Sequence, residues 1–534
     1  MQIRFPDSIH ILSEAQTFRF TGTTEAVQDD IRVSLSKKEE TLNVSLTADT
    51  TPVSFIRLYW HFSDAEKRPI PYKIYGDAWE RTYGDAEWRG LCAHRCMPWV
   101  CAVSNGSDLN TDYQGRFTDC FGVKVRPSAL CFWQYDGKGV LLWLDVRSGG
   151  LGVLLNGRTL DLCDILFETY TDTSAFKALR VFYFRLCDDP ILPDHKVYGN
   201  NNWYYAYGNS SYEEILQDTD ILMQGCKGLK NPPYMVVDDC WSKNRCDAPW
   251  DTLCDTFSDM KKLAEEISAK GARPGIWFRP LSDQTNVLPL QKMQNDNRFL
   301  DPSHPEVLAY VAKTVRMLCH EWGYKLIKHD FSTFDMFGAW GFQRPTVLAE
   351  GDWHFYNRHK TSAEIVLDLY KTISDAAGRD VLLLGCNVIG HLAAGTHQLN
   401  RIGDDTSGRT WDRTRKFGVN TLAFRMLHHK AFYDADADCI GITNAIDWRM
   451  NKKWLSILAN SGTSLFVSPK PSDLTDQIRA DLKEAYAVNS VQADTLEPLD
   501  WMENTCPEHW LLNGKEIAFN WLDEEGVASY PPKY

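Results

Sequence analysis

The sequence predicts a central (β/α)8 barrel flanked by an N-terminal β-sandwich and a small C-terminal antiparallel β-sheet domain. Three observations predict it. From about residue 194, short apolar strands alternate with amphipathic helical segments over roughly 260 residues, the signature of a barrel or of a doubly wound open sheet. Before that point the apolar runs are short, several alternate with polar residues, and turn-forming pairs separate them. After about residue 463 the chain turns β again. The expected domains are therefore 1–193, 194–462 and 463–534. A chain of 534 residues, 44% hydrophobic, has ample material for several cores.

In the first segment, Ile31-Arg32-Val33-Ser34-Leu35, Leu42-Asn43-Val44-Ser45-Leu46 and Val140-Leu141-Leu142-Trp143-Leu144 read as strands. Asn105-Gly106, Asp136-Gly137, Ser148-Gly149-Gly150 and Asn156-Gly157 mark turns between such runs. In the barrel, Trp203-Tyr204-Tyr205-Ala206-Tyr207 reads as a strand, with a helix over 212–224. Tyr234-Met235-Val236-Val237 follows, then a helix over 255–269, then Pro274-Gly275-Ile276-Trp277-Phe278 and a helix over 305–322. The strand Leu326-Ile327 runs into Lys328-His329-Asp330, and a helix over 363–377 leads to the strand 381–386. A short strand lies at 399–402, and helices over 412–428 and 447–459 flank another at 439–442. Ser464-Leu465-Phe466-Val467, Trp510-Leu511-Leu512 and Glu516-Ile517-Ala518-Phe519-Asn520-Trp521 read as the C-terminal sheet, too small to stand without the barrel.

Bulk properties exclude some functions. A net charge of −14 argues against nucleic acid and anionic membrane as partners. No Gly-rich phosphate loop is present, which disfavours a nucleotide-binding open sheet. The first residues lack the apolar stretch of a signal peptide, and no run approaches a membrane span. The 15 cysteines are scattered, often among apolar neighbours, which reads as reduced thiols in a cytoplasmic protein. Cys92 and Cys96 with His94 have no second ligand pair, so neither a metal nor another cofactor is expected.

Polar residues gather at the predicted strand ends, where a barrel places its chemistry. They are Asp238 and Asp239, Trp277, Lys328 and Asp330, Cys386 and Asn387, and Arg401 with Asp404 and Asp405. Asp436 and Asp438 precede a later strand. Lys328 and Asp330 stand two apart, on one side of their strand, so the amine is expected to keep the carboxylate ionised. Taken alone they are equally well a surface ion pair, and Asp238-Asp239 alone could be helix-capping acids. Together they suit glycoside hydrolysis, which needs one carboxylate to attack the anomeric carbon and another to protonate the leaving oxygen. Asp330 suits the nucleophile. Either member of Asp404-Asp405 suits the acid, because a crowded carboxyl holds its proton. Asp238 and Asp239 would accept hydrogen bonds from sugar hydroxyls, and Trp203 and Trp277 would supply apolar faces.

Five stretches carry a resemblance: Asn200-Asn201-Asn202-Trp203, Val237-Asp238-Asp239-Cys240-Trp241, Gly275-Ile276-Trp277-Phe278, Ile327-Lys328-His329-Asp330-Phe331 and Arg401-Ile402-Gly403-Asp404-Asp405. In this order, over about 195–470, they resemble the retaining α-galactosidase clan, closest to glycoside hydrolase family 36 with its raffinose synthase-like relatives. The resemblance implies that Asp330 is the nucleophile and Asp404 the acid/base, with Asp405 as the alternative. It implies that Asp238, Asp239, Lys328, Trp203, Trp277, Cys386 and Arg401 surround the sugar. It implies a small α-galactoside or oligosaccharide as partner. Two departures stand out. Asn387-Val388-Ile389 replaces the small residues that usually follow the cysteine, which places Asn387 near the C2 substituent and leaves galactose against N-acetylgalactosamine open. The family's sugar-binding arginine between the third and fourth strands has only Arg298 as a candidate. Galactosyl transfer to a sugar acceptor and non-catalytic sugar binding remain alternatives. A homo-oligomer is allowed, though the tetramer of longer bacterial members is not implied.

Overall fold

The computed structural model describes residues 2–106, 109, 112–289, 291–343, 346–491 and 496–522. The N-terminal part is two antiparallel sheets. One has six strands, in the order Thr17–Thr21, Ser8–Ser13, Val53–His61, Gly139–Asp145, Leu130–Tyr135 and Met97–Pro98. The other has seven: Glu25–Gln28, Ile31–Lys38, Thr41–Thr47, Thr159–Thr171, Phe117–Val123, Val100–Ser104 and Lys73–Gly76. The alternation in Ile31–Lys38 buries Ile31, Val33 and Leu35, as period two requires. Trp60 from the first sheet meets Phe167 from the second at 5.0 Å between ring centroids, and Phe121 meets Phe167 edge-on at 4.9 Å. This is the expected sandwich.

The barrel has eight parallel strands: β1 Tyr198–Asn201, β2 Tyr234–Val237, β3 Arg273–Phe278, β4 Leu326–His329, β5 Leu382–Gly385, β6 Leu399–Arg401, β7 Asp434–Asp436 continuing as Ile440–Ile442, and β8 Leu465–Pro469. Consecutive strands pair from β1 to β7, β8 pairs with β1, and Ile440 pairs with Val467. A bridge between Asp436 and Ser464 joins the remaining gap. The sheet therefore closes, and the doubly wound alternative is excluded. Helix Ser362–Ala377 begins with a capping box between Thr361 and Glu364. Glu364 also meets Arg158 of the sandwich at 2.7 Å, so this cap ties the two domains.

Two expectations are corrected. Trp203–Ala206 is a helical turn after β1, not a strand: Asn201 Oδ1 accepts from Trp203 N at 2.9 Å and turns the chain over the mouth. Asp436 and Asp438 do precede the strand Ile440–Ile442, and Asp436 ends the first part of β7. Residues Leu465–Pro469 are β8, so a boundary at 462 cuts the barrel before its last strand. Helix Asp476–Asn489 then packs beside helices Trp448–Ser461 and Tyr212–Gly225. Only three short strands, Glu497–Pro498, His509–Leu512 and Lys515–Ala518, form the C-terminal sheet; residues 523–534 lie outside the described residues. That sheet leans on the barrel through Trp411, whose indole donates to the Trp521 carbonyl at 2.6 Å.

The sandwich is locked to the barrel by buried charge. Asp77 accepts from Arg425 at 2.8 Å and faces His428 at 2.9 Å, and Tyr183 donates its hydroxyl to the same carboxylate at 2.9 Å. All four are buried, so the docking is specific in register. Nothing among the described helices is long and apolar enough to cross a membrane.

Asp218, on helix Tyr212–Gly225, is buried with one carboxyl oxygen bonded by the Tyr205 hydroxyl and the other unpartnered. Burial pushes its pKa up to about 7. The folded chain thus holds a proton that the unfolded chain releases near pH ~4. Stability is therefore expected to fall as pH rises from ~4 to about 7, and then level off. Asp218→Asn should remove that slope. Melting temperatures of the two proteins at pH 5 and pH 8 check this: the gap in favour of the variant should widen at pH 8.

Candidate active site

The C-terminal ends of β1 to β4 and the loop after β6 surround one pocket of about 190 Å³. Its walls include Trp203, Asp238, Asp239, Trp277, Lys328, Asp330, Asp404 and Asp405. Eight of the sequence-predicted residues thus meet in one place.

Asp238 and Asp239 are set at the end of β2 by the asparagine run of β1. Asn201 Nδ2 donates to Asp238 Oδ2, and Asp238 N donates to Asn202 Oδ1 at 2.9 Å. Cys240, the next residue, takes a φ of 87°, and Phe331, directly after Asp330, takes a φ of 62°. Bulky side chains rarely adopt this region, so the backbone is strained immediately behind both acidic positions. The strain turns the chain sharply where β2 and β4 end, leaving the carboxylates at the mouth.

Lys328 is placed differently from expectation. It points into the barrel, but Nζ donates to Asp238 Oδ2 across β3, at 2.7 Å. Asp238 holds it charged against the pull of burial. The partners of Asp330 are instead Trp277 Nε1 at 3.3 Å and its neighbour's backbone, Phe331 N, at 2.7 Å. The tryptophan thus does two jobs, lining the pocket and fixing the carboxylate.

Three predicted residues stand behind the pocket rather than in it. Arg401 is buried and pairs with Asp438 at 3.0 Å and Asp405 at 3.1 Å. Cys386 is buried, its thiol pKa pushed up by burial, and lies within 3.5 Å of both Arg401 and Arg81. Asn387 is fully buried: it donates to Glu80 at 2.7 Å and accepts from Phe334 N at 3.2 Å, which fits a brace rather than a sugar contact. Arg298 lies on the surface beside Asp296 and is not a wall of the pocket. Arg279 is also structural, buried on Asp335 with its guanidinium 4.2 Å from the Phe331 ring centre.

The remaining walls escaped sequence reasoning: Arg81, Cys246, Phe331, Trp340 and Arg413. Arg81 is the most informative. It belongs to the sandwich, yet Thr82 pairs with Gly403 beyond β6 and carries Arg81 into the mouth. There its Nη2 donates to Asp404 Oδ1 at 2.8 Å, and Nη1 lies 3.8 Å from Asp405. Nothing about an isolated arginine 323 positions before Asp404 marks it in sequence; only the docking of the domains reveals it. Cys246 donates its thiol to Asp239, and it could have been noticed as the cysteine six residues after Cys240.

The acids differ electrostatically. Burial raises the pKa of Asp239. Burial also pushes Asp405 up, but Arg401, then Arg81 and Lys328, outweigh it and hold the carboxyl at about 2. Beneath the pocket, burial raises Asp436 to about 6. Among the described residues no group of three His, Cys, Asp or Glu side chains could hold a metal.

No family model matches the sequence, and no curated protein does. Solved structures do match. TtGalA, an α-galactosidase from Thermus thermophilus in complex with p-nitrophenyl α-D-galactopyranoside, is similar with a TM-score of 0.60 at 16% identity, over 92% of this chain and 98% of that chain. The GH36 α-galactosidase AgaA from Geobacillus stearothermophilus, as a variant in complex with raffinose, gives 0.61 at 12% identity, over 95% and 79%. An α-galactosidase from Lactobacillus brevis gives 0.54 at 12%, over 91% and 73%. The chain has their fold. Coverage of that extent takes in the sandwich together with the barrel.

Proposed function

We propose that this protein is a retaining α-galactosidase-like glycoside hydrolase, of the family 36 kind, that removes terminal α-linked galactose from oligosaccharides or glycosides. The observation that carries the reading is the single pocket at the strand ends, where Asp330 from β4 and the Asp404-Asp405 pair after β6 share walls with Asp238, Asp239 and two tryptophans. The fold shared with α-galactosidases supports it.

In this reading Asp330 attacks C1 and forms a glycosyl ester while Asp404 gives its proton to the leaving oxygen. Water then gives a proton back to Asp404 and attacks C1, releasing the sugar and the Asp330 carboxylate. Trp277 and Phe331 N hold the nucleophile in place. Asp405 is kept ionised by Arg401 and Arg81, which suits an anchor for the site better than a proton donor. Asp238 and Asp239 accept from the axial O4 and from O6. An equatorial O4 would point away from these carboxylates and lose its charge-assisted hydrogen bond, which disfavours glucose.

Aryl α-glycosides that differ at C2, C4 and C5 test this, with the first-formed product anomer followed by NMR. Cleavage of the α-galactoside with α-galactose formed first is expected. β-Galactose formed first would reject the double displacement, and preferential turnover of the α-glucoside would reject the roles of Asp238 and Asp239.

A further inference from the structure

A cleft of about 210 Å³ lies on the outer side of the barrel, between helices Tyr212–Gly225 and Asp476–Asn489 where they cover β1 and β8. It shares no wall residue with the sugar pocket. The two stand back to back across β1, because neighbouring strand residues point to opposite faces. Asn201 faces Asp238 inside the barrel, and Asn200 faces the cleft.

The middle of the cleft is apolar, lined by Leu222, Pro469, Leu474 and Leu482. Its ends are polar. At one end Asn200 is buried at 2% exposure, and its Oδ1 accepts from the Tyr486 hydroxyl at 2.6 Å. Its Nδ2 has no acceptor among the described residues and is not enclosed by them, so a donor is left open to the cleft. At the other end stands Arg479, seven residues before Tyr486, or roughly 10 Å along the helix. Arg479, Leu482, Lys483 and Tyr486 recur at helical spacing, so one face of Asp476–Asn489 forms a whole wall.

The charge of the cleft has one sign. Among the described residues neither Arg479 nor Lys483 has an ion-pair partner, and no carboxylate lines the space. Arg479 also sits in the first turn of its helix, where the helix field disfavours a cation, so it does not serve the helix. Two unpaired cations beside an apolar space attract an anion with an apolar body, in a chain whose net charge is otherwise −14. Size narrows the class further. An apolar cavity of about 150 Å³ takes up benzene, so this cleft has room for one ring with a short acidic arm.

We infer that the cleft binds a small aryl carboxylate. The ring lies between Leu222 and Leu482, the carboxylate meets Arg479 and Lys483, and a hydroxyl at the far end of the ring accepts from Asn200 Nδ2. Such a site is independent of the proposed glycosidase activity.

The probe is para-hydroxyphenylpropanoate, and the matching alcohol, para-hydroxyphenylpropanol, keeps the ring and loses the charge. Both are titrated calorimetrically into the full chain with galactose in excess, so that the sugar pocket is not the site read. The acid should bind once per chain, and the alcohol about threefold to tenfold more weakly, the worth of a part-exposed charge pair. Phenylpropanoate, which lacks the ring hydroxyl, should bind about threefold more weakly than the probe. Arg479→Met keeps an apolar stem and removes the charge; it should erase the preference for the acid while changing the alcohol by less than about twofold. Ala480→Trp, at an exposed wall position, fills the cleft and should abolish binding of both. Circular dichroism melts check that each variant is folded. No heat from the acid with the unmodified protein, equal affinities for acid and alcohol, a preference that survives Arg479→Met, or binding retained in folded Ala480→Trp would each overturn the inference.

Discussion

Replacing Asp330 by glycine is expected to lower kcat for p-nitrophenyl α-galactoside by at least about 10³-fold while the protein stays folded. A nucleophile is used in every turnover, and its loss leaves only binding and residual electrostatic effects. The cost to stability should be small. Asp330 is partly exposed at the pocket wall, and the volume that glycine vacates admits water to its side chain's two donors among the described residues, Trp277 Nε1 and Phe331 N. The decisive readout is chemical rescue. Azide added to Asp330→Gly should enter the vacated space, attack C1 from the face opposite the leaving group, and yield the β-galactosyl azide. An undiminished kcat, or rescue giving the α-azide, would remove Asp330 from its role.

Much of this arrangement was legible in the sequence because barrel strands are short, buried on both faces and followed by polar ends. Asp238-Asp239, Trp277 and Lys328-His329-Asp330 sit where such a pattern puts chemistry, and they do meet. The failures have physical causes. The aromatic run from Trp203 has strand-forming residues, but the asparagine at 201 bonds the backbone two residues on and makes a turn of it. The last barrel strand reads like a member of the sheet that follows, because its pairing with β1, more than 260 residues earlier, and with Ile440–Ile442 distinguishes it. Lys328 stands on the same side as Asp330, yet a long side chain can cross to the neighbouring strands, and Asp238 is there to receive it. Asn387 looked like a pocket residue because it follows a strand; the sandwich turns it inward through Glu80. Arg81 depends on that same docking, held by Asp77, Arg425 and His428, and local patterning carries no trace of contacts so distant in the chain.

Separating Asp404 from Asp405 carries the other large effect. Asp404→Asn should cut kcat/KM for raffinose by roughly 10²- to 10⁴-fold, the usual range for loss of general acid catalysis. The loss should shrink sharply for an aryl galactoside with a strongly acidic phenol, since that leaving group departs without a proton. The alkaline limb of the pH profile should disappear with it. Azide should restore turnover and give the α-galactosyl azide, because it attacks the glycosyl–Asp330 ester on the face that water would use. Asp405→Asn should behave otherwise. Its carboxylate, held at about 2, is ionised throughout the working pH range, and it shares Arg401 with Asp438. Removing its charge should weaken all galactosides by a similar factor, with no dependence on leaving group and no azide product. The assignment turns on that contrast. If the leaving-group dependence and the α-azide follow Asp405 instead, then Arg81 and Arg413 beside Asp404 form the anchor, and the proton comes from the carboxylate over Arg401. Either outcome fixes which side of the Arg81 guanidinium the leaving group passes.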